Sequence, residues 1–382
     1  MPPQIRPTNK VFINMTALRH NLREVRELAG DRHIMAVVKA DAYGHGLLGS
    51  ALTFTQAGAD ALGVMEIDDA LTLREHGLNL PIHILGGLND PDQLEAALRQ
   101  DLSFFASGPE QIRALSAKGA NLGLRAKLHI KIDTGLGRRG IPADEAEGFL
   151  REVAQWPSLQ IQGLATHLAT AGDPGAAAQL DIFAKICYKA KAIGIKGECH
   201  SALASSGLIW HQNDPSKLLR VGLMLYGVHP GPEIGPVRPD LRPAMTVLSR
   251  VTHLRELEPG DTVGYNRTFV CRKPMRLAVL PFGYAQGLIR SRSGRGWVLI
   301  RGRRAPQVGL ISMNSSTYDV TSIPDVALGD NAVILGRHST SQVRAGDLAA
   351  WGSTTPYEML NLLGRLNTRY IEGSDYEDSV EC

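Results

Sequence analysis

Short runs of apolar residues alternate with helical patterns up to about residue 230 of the chain. The first run, residues 34–38, is continuously apolar, which is typical of a strand that is covered on both faces in a parallel sheet. With it, eight short runs are predicted to be strands: residues 34–38, 61–64, 82–85, 103–106, 124–133, 161–167, 198–202 and 218–226. Eight β-then-α units predict an α/β fold, a (β/α)8 TIM-type barrel, whose active site lies at the C-terminal ends of its strands.

The pattern changes after the eighth run. A connector rich in proline and glycine, residues 229–239, disfavours helix, and the chain beyond it shows short β-like runs broken by turn residues. A chain of 382 residues is also too long for one ordinary core. We therefore expect a barrel domain over residues 10–232, a mostly β C-terminal domain over 240–371, and an acidic, mobile tail over 372–382.

Composition places the chain among soluble globular proteins, with 43% hydrophobic and 21% charged residues. A formal net charge of +3 is small for this length and gives no sign of binding to nucleic acid or to an anionic membrane. The arginines between residues 290 and 304 flank a strand-like run, so we interpret them as solvated hairpin residues rather than as a DNA-binding arm.

The sequence also carries no targeting or metal-binding signal. No stretch approaches the roughly 20 apolar residues of a membrane span, and no apolar signal core opens the chain, so we expect a cytoplasmic protein. The four cysteines have neither metal-ligand nor disulfide spacing. We expect them to be reduced thiols and expect no metal site.

A lysine ends the first apolar run, where apolar residues would be expected to continue. A buried ammonium is unfavourable unless it is paired, neutralised or consumed in a covalent bond, and burial lowers its pKa so that it serves as a base or forms a Schiff base. Lys39 is therefore a catalytic candidate, and Gly44 and Gly46 after it let the backbone approach a ligand closely. Taken alone, such a lysine is more often a strand-end residue that reaches into solvent.

Polar residues also follow later strands of the predicted barrel. Residues 135–140 match the dinucleotide pattern G-x-G-x-x-G, but they follow the fifth strand rather than the first. We interpret them as a tight turn that could present Arg138 to a carboxylate, but on these residues alone a solvated loop arginine is the better explanation. His167 ends the sixth strand, where a lone histidine is more often a core residue than a ligand.

The last two strands of the barrel suggest a phosphate site. Ser205 follows the seventh strand and Arg220 lies in the eighth, and the loops after these strands are the usual phosphate site of this barrel. A lysine that could form a Schiff base and a phosphate site in one barrel together suggest pyridoxal phosphate as the cofactor.

The chain resembles the alanine racemases, pyridoxal-phosphate enzymes of fold type III, from about residue 10 to residue 370. Residues 37–46, Val-Val-Lys-Ala-Asp-Ala-Tyr-Gly-His-Gly, resemble the highly specific cofactor-lysine signature of that family. Further matches follow in the family's order at residues 131–138, 166–167, 205, 220–222, 264–265, 283–284, 312–313 and 356–358. So many ordered matches are not expected by chance.

The resemblance implies two groups that move protons. Lys39 would hold the cofactor through a Schiff base and act as a base on one face of the substrate Cα. Tyr265, supplied by the partner subunit in this family, would act on the opposite face. Racemisation needs both groups, because a proton removed from one side must return on the other.

The resemblance also implies how cofactor and substrate are held. Arg220 would face the pyridine nitrogen of the cofactor, and His167 would pack against its ring. The cofactor phosphate would be bound by Tyr43, Ser205, Tyr357 and the backbone of Gly222 and Leu223. The substrate would be bound by Arg138, Tyr284 and the Met313 backbone, and Lys131, often a carbamate in the family, would position Arg138.

Four positions depart from the family pattern. Leu310 and Asn314 stand where the family usually has arginine and aspartate, Gln286 replaces an aspartate, and Ala204 replaces an asparagine. Several of these positions lie in or near the substrate entry channel of the family. Because fixed charges are lost there, we hypothesise some breadth of substrate that includes serine.

The implied function is a homodimeric racemase that interconverts L- and D-alanine, for peptidoglycan synthesis or D-alanine catabolism. A fold-type III decarboxylase would share the barrel and the cofactor, but the segments of Tyr265, Met313 and Tyr357 follow the racemase pattern. A non-catalytic pyridoxal-phosphate carrier would be a single barrel, whereas this chain has a second domain. The remaining hypothesis, a nucleic-acid-binding module, is supported only by the arginine-rich hairpin.

Overall fold

The computed structural model describes residues 8–87, 90–196, 199–231, 235–366 and 368–373. It separates into two compact units: the barrel unit holds residues 19–42 and 47–241, and the second unit holds residues 1–18, 43–46 and 242–382. The N-terminal strand and the short segment Tyr43–Gly46 therefore belong to the second unit. The predicted boundaries stay a prediction, and residues 374–382 of the predicted tail lie outside the described residues.

Strands and helices alternate through the first 221 residues. In chain order the elements are β1 (Lys10–Asn14), α1 (Met15–Ala29), β2 (His33–Val37), α2 (Lys39–Gly44), α3 (Leu47–Gln56), β3 (Ala61–Val64), α4 (Ile67–Glu75), β4 (Ile82–Ile84), α5 (Pro91–Arg99), β5 (Ser103–Ala106), α6 (Pro109–Leu122), β6 (Ala126–Asp133), β7 (Ile141–Pro142), α7 (Ala146–Val153), β8 (Leu159–Ala165), α8 (Pro174–Ala192), α9 (Ser205–Trp210) and β9 (Leu218–Val221). All residues of β3 and β5 are buried, as expected of strands covered on both faces. A 3-10 helix, Leu223–Tyr226, follows β9.

Hydrogen bonding closes the barrel. The strands lie in the order β9, β2, β3, β4, β5, β6, β8, and all these pairs are parallel. Residues 201–204 bridge β8 to β9: Ser201 N–H donates to the Leu164 carbonyl at 2.9 Å, and Arg220 N–H donates to the Leu203 carbonyl at 3.0 Å. The predicted (β/α)8 fold class is confirmed. Its seventh strand, predicted at 198–202, is reduced to isolated bridges, and residue 198 lies outside the described residues.

The second unit is mostly β, as predicted. Its remaining elements are β10 (Met245–Arg250), β11 (His253–Leu257), β12 (Thr262–Val263), β13 (Phe269–Val270), β14 (Met275–Leu280), β15 (Trp297–Ile300), β16 (Arg303–Val308), β17 (Ser316–Asp319), β18 (Asn331–His338), β19 (Ser341–Val343), α10 (Ala345–Gly352), α11 (Pro356–Leu363) and β20 (Thr368–Ile371). The large sheet runs in the order β11, β14, β17, β16, β15, β18, β10, β1, β20. The N-terminal β1 pairs antiparallel with β10 and parallel with β20, so the two ends of the chain share one sheet.

Loops between these strands contain three short 3-10 helices, Tyr265–Arg267, Tyr284–Gln286 and Arg290–Arg292. Among the described helices of both units, none is long and apolar enough to cross a membrane.

Candidate active site

Lys39 lies directly after β2, at the C-terminal end of that barrel strand. Its side chain is half-buried, and its pKa is lowered first by burial and then by the charges of Arg138, Arg220 and Arg139. A lysine with a lowered pKa is more often the neutral amine that a base or a covalent attachment requires. The structure therefore gives Lys39 the environment that its place in the sequence predicted.

The backbone after Lys39 is left-handed over consecutive residues. Ala40, Asp41, Ala42 and Tyr43 have φ angles of 54°, 53°, 53° and 56°. Each non-glycine residue in this conformation costs about 1–2 kcal/mol. The turn is held in part by Asp41, whose carboxylate accepts the Leu47 N–H at 2.7 Å. Strain of this kind persists only where the surrounding structure enforces it, and it is common at ligand sites.

Arg220 of β9 is buried at the same end of the barrel and is fixed by several acceptors. Its Nη1 donates to the Ser201 carbonyl at 2.7 Å, and its Nη2 donates to the Thr166 carbonyl at 2.7 Å. Burial lowers the pKa of Arg220 to about 10, which still leaves the guanidinium charged at neutral pH. The side chain is therefore a fixed positive charge.

His167 lies beside Arg220, so two predicted site residues meet. Arg220 Nη2 lies 3.2 Å from Nδ1 of His167. Because a guanidinium only donates, Nδ1 must be the acceptor, which leaves the imidazole proton on Nε2. Burial, followed by the charge of Arg220, lowers the pKa of His167 to about 3. The structure thus holds a neutral imidazole in one tautomer.

The predicted phosphate ligands of the barrel unit also lie together. Ser205 opens α9, and its hydroxyl accepts the Gly222 N–H at 3.1 Å. Leu223 is the first residue of the 3-10 helix after Gly222, and N–H groups in the first turn of a helix have no partner within it. A hydroxyl and backbone N–H groups in one place suit a phosphate.

Tyr43 and Tyr357 form a pair within the second unit. Their ring centres lie 6.0 Å apart. Burial raises the pKa of both phenols, and the neighbouring Tyr357 raises that of Tyr43 further. Both hydroxyls are therefore protonated donors at neutral pH. The glycine next to Tyr43 is required, because a Cβ on Gly44 would lie 2.4 Å from the Leu360 carbonyl oxygen.

Lys131 and Arg138 flank the turn after β6. The Asp133 carboxylate accepts the N–H groups of Gly135, Leu136 and Gly137 at 3.0, 2.9 and 3.2 Å, which fixes the turn. Burial lowers the pKa of Lys131 to about 8, with further contributions from the arginines Arg220, Arg138 and Arg139. The G-x-G-x-x-G match is therefore a tight turn, as predicted, and the structure adds that Asp133 caps it. The helix that follows it, α7, begins only at Ala146.

Tyr265, Tyr284 and Met313 come from neighbouring loops of the second unit. Tyr284 N–H donates to the Ser312 carbonyl at 3.1 Å, and Ala285 N–H donates to the Met313 carbonyl at 2.9 Å. Gly264, before Tyr265, lies against Leu310 of the same loop as Met313. Tyr265 is 64% exposed and Met313 57% exposed in the single chain. Large side chains exposed together are typical of a surface that another molecule covers.

The residues that depart from the family pattern have identifiable places. Gln286 accepts the Gly283 N–H through its side-chain oxygen at 2.9 Å and so closes its own turn. Ala204 pairs with Arg220 in the barrel. Leu310 is half-buried and Asn314 is exposed, and neither side chain supplies a charge.

Arg139 is a feature that sequence reasoning missed. Its charge lowers the pKa of both Lys39 and Lys131, and its Nη1 lies 3.6 Å from where a Cβ on Gly87 would stand. Two adjacent arginines after a strand were the available signal, but only Arg138 was assigned a role.

The residues described fit pyridoxal phosphate. Lys39 offers an amine of lowered pKa, Arg220 a fixed cation beside a neutral imidazole, and Ser205 with the Gly222–Leu223 backbone a set of phosphate donors. When bound, this cofactor withdraws electrons from the substrate Cα and so makes its proton removable.

Comparison with known proteins gives one consistent result. Residues 13–230 match the family model "Alanine racemase, N-terminal domain", and residues 244–371 match "Alanine racemase, C-terminal domain". The chain is 38% identical to an alanine racemase of Syntrophobacter fumaroxidans over 93% of this chain and 95% of that protein. It is 35% identical to an alanine racemase of Symbiobacterium thermophilum over 94% and 96% of the two chains. It also resembles the crystal structure of alanine racemase from a D-cycloserine-producing Streptomyces lavendulae, with a TM-score of 0.91, 31% identity, and coverage of 98% and 100%.

Proposed function

The chain belongs to the alanine racemase family, and on that premise we propose that it interconverts L-alanine and D-alanine with pyridoxal 5'-phosphate as its cofactor. One observation carries the proposal: the amine of Lys39 is half-buried at the C-terminal end of a barrel strand, and its pKa is lowered. The matches cover both units, which a single-barrel carrier does not account for. No observation favours the decarboxylase over the racemase.

Lys39 would hold the cofactor covalently through Nζ and, once released by the substrate amine, take or return the Cα proton on one face. Its lowered pKa supports this role because only the neutral amine accepts a proton. The hydroxyl of Tyr265 would act on the opposite face. A phenol is a weak base at neutral pH, so a nearby cation would have to stabilise the phenolate of Tyr265.

The barrel residues would orient the cofactor. Arg220 would face its ring nitrogen, and as a guanidinium it keeps its own proton, so that nitrogen would stay unprotonated. His167 would pack against the ring as a neutral imidazole. The phosphate would be bound by Ser205, Gly222, Leu223, Tyr43 and Tyr357.

The substrate carboxylate would be bound by Arg138 and the Met313 backbone N–H, with Tyr284 beside it. Lys131 would react as its neutral amine with carbon dioxide, forming the N–C bond of a carbamate and releasing one proton to solvent. The carbamate would position Arg138. A pKa of about 8 supports this reaction, because an appreciable fraction of the amine is neutral near pH 7.5.

A homodimer with shared active sites would bring Tyr265 of one subunit to Lys39 of the other. The exposure of Tyr265, Tyr284 and Met313 in the single chain supports this assembly. We also propose a cytoplasmic location, with D-alanine made for the cell wall or consumed in catabolism, and a substrate range that includes serine.

The test uses purified protein loaded with pyridoxal phosphate. Wild-type protein should convert L-alanine to D-alanine and show the visible absorbance of lysine-bound cofactor, which differs from that of the free aldehyde, and Lys39→Ala should lose both. Absence of D-alanine from the wild type, or unchanged absorbance in Lys39→Ala, would contradict the proposal. The ratio of kcat/KM for alanine to that for serine tests whether the substrate range includes serine. A very large preference for alanine would contradict that part of the proposal.

A further inference from the structure

Arg292 lies in the interior of the second unit, and no described acidic residue pairs with its charge. Its side chain is 0% exposed, and Nε, Nη1 and Nη2 all lack a hydrogen-bond partner among the described residues. Burial lowers the pKa of this guanidinium, but guanidinium groups keep their proton in proteins. A full positive charge and its N–H donors are therefore buried without an acceptor.

One aromatic ring lies against this charge, and it belongs to a short stack of tryptophan and arginine side chains. The Cζ of Arg292 lies 5.0 Å from the ring centre of Trp351, and Trp351 packs edge-on against Trp297 with ring centres 4.6 Å apart. The exposed Arg304 stacks on the other tryptophan, with its Cζ 4.3 Å from the Trp297 ring centre. We call these four residues, Arg292, Trp297, Arg304 and Trp351, the cation–aromatic cluster.

The unpaired polar atoms of the cation–aromatic cluster are all donors. The indole Nε1 of Trp297 is also buried and has no partner among the described residues. The phenol of Tyr318, whose charge would interact with Arg292, gives no counter-charge, because burial raises its pKa and keeps it neutral. Attraction to an aromatic face offsets only part of the free energy lost when an ion leaves water. The missing group is therefore an acceptor, and an anion would also neutralise the charge.

We propose that the cation–aromatic cluster binds one small monovalent inorganic anion, chloride, at the guanidinium of Arg292. Complete burial of Arg292 excludes a large organic ligand, and a donor-only set excludes a cation. A buried water would satisfy donors but would leave the charge uncompensated. This proposal does not depend on the proposed function.

The anion site would hold together segments that carry predicted site residues. Ser293, next to Arg292, accepts the Ile311 N–H at 2.9 Å, two residues before Met313. Trp351 belongs to α10, which precedes the Tyr357 helix α11. Bound chloride would therefore fix the Arg290–Arg292 helix against α10, behind the Met313 loop, and would stabilise the fold.

Thermal unfolding of the holoenzyme tests the site. Chloride is titrated at constant ionic strength with sodium gluconate as the replacement salt and at constant protein concentration. Chloride at a hundred times its Kd should raise the Tm by about 3 °C, because a ligand that binds only the native state stabilises it. Arg292→Met should lose this chloride-dependent rise. The matched control Arg304→Met removes the exposed cation of the same cluster and should keep the rise.

A second measurement needs no variant and decides the question if Arg292→Met does not fold. Wild-type crystals grown in bromide should show anomalous scattering within hydrogen-bond distance of the Arg292 guanidinium. A water there without anomalous signal would overturn the proposal. Equal wild-type Tm values in chloride and gluconate, or equal loss of the chloride effect in both variants, would also overturn it.

Discussion

Arg220 Nη2 donates to His167 Nδ1 across 3.2 Å, so a permanent cation fixes both the tautomer and the charge state of a neighbouring imidazole. The pair joins β9 to the end of β8 and places a charged and a neutral side chain side by side. Neither residue alone indicated this relationship, because a lone histidine after a strand is more often a core residue.

Replacing Arg220 with lysine should lower kcat/KM for alanine by about 10- to 100-fold, because a lysine cannot satisfy all five acceptor atoms that the planar guanidinium serves. Steady-state kinetics measures the loss. Nitrogen NMR of His167 should show the Nε2-protonated form in the wild type and a mixture of tautomers in the variant. Unchanged kinetics together with an unchanged tautomer would refute the role of this pair.

Stability should fall as the pH drops below 6.5. His83 and His129 are buried in the barrel, and burial lowers the pKa of His83 to about 4 and that of His129 well below its usual value. Between pH 6.5 and about 4 the unfolded chain binds protons that the folded chain does not, so the free energy of unfolding decreases with falling pH. His83 should contribute a loss of about 2 kcal/mol between pH 7 and pH 5, and His129 should contribute a loss of the same sign.

Chemical denaturation at the two pH values measures this dependence. His83→Leu should reduce the loss of unfolding free energy between the two pH values by about the contribution of one buried histidine. The control is His76→Gln at an exposed histidine, which should leave the pH dependence unchanged. An equal pH dependence in wild type and His83→Leu would show that His83 does not titrate with unfolding.

Lys131 should carry a carbamate. Protein incubated with ¹³C-labelled bicarbonate should give a carbamate carbon signal that is absent from Lys131→Ala. The variant should have KM for alanine raised by about tenfold with a smaller change in kcat, because Arg138 loses one charge-assisted contact. Normal kinetics in Lys131→Ala would leave Lys131 without a role in substrate binding.

Charge at Leu310 and Asn314 should control selectivity. The double variant Leu310→Arg, Asn314→Asp should raise the ratio of kcat/KM for alanine over serine by about tenfold, as fixed charges narrow what enters the site. Leu310→Met with Asn314→Gln is the neutral control and should leave the ratio near that of wild type. An identical ratio in all three proteins would show that residues 310 and 314 do not determine substrate selectivity.

The barrel and Lys39 could be predicted because short apolar runs that alternate with helical patterns and a lysine at a strand end are local signals. The place of β1 in the second unit could not be predicted from the sequence, because β1 pairs with β10 and β20, whose residues lie more than 230 positions away. The left-handed residues 40–43 were also missed, since none of them is glycine and the strain is maintained by contacts. Arg292 is a third case: its burial depends on Trp351, far along the chain, and its arginine-rich segment suggested only solvated residues.

The most direct test of the account follows proton exchange at Cα in deuterated water, starting separately from L-alanine and D-alanine. Wild-type holoenzyme should exchange and invert both enantiomers. Tyr265→Phe should keep exchange with one enantiomer only, through Lys39, and should form the opposite enantiomer at least about 100-fold more slowly. Inversion by Tyr265→Phe at the wild-type rate would contradict a mechanism in which Lys39 and Tyr265 serve opposite faces of the substrate.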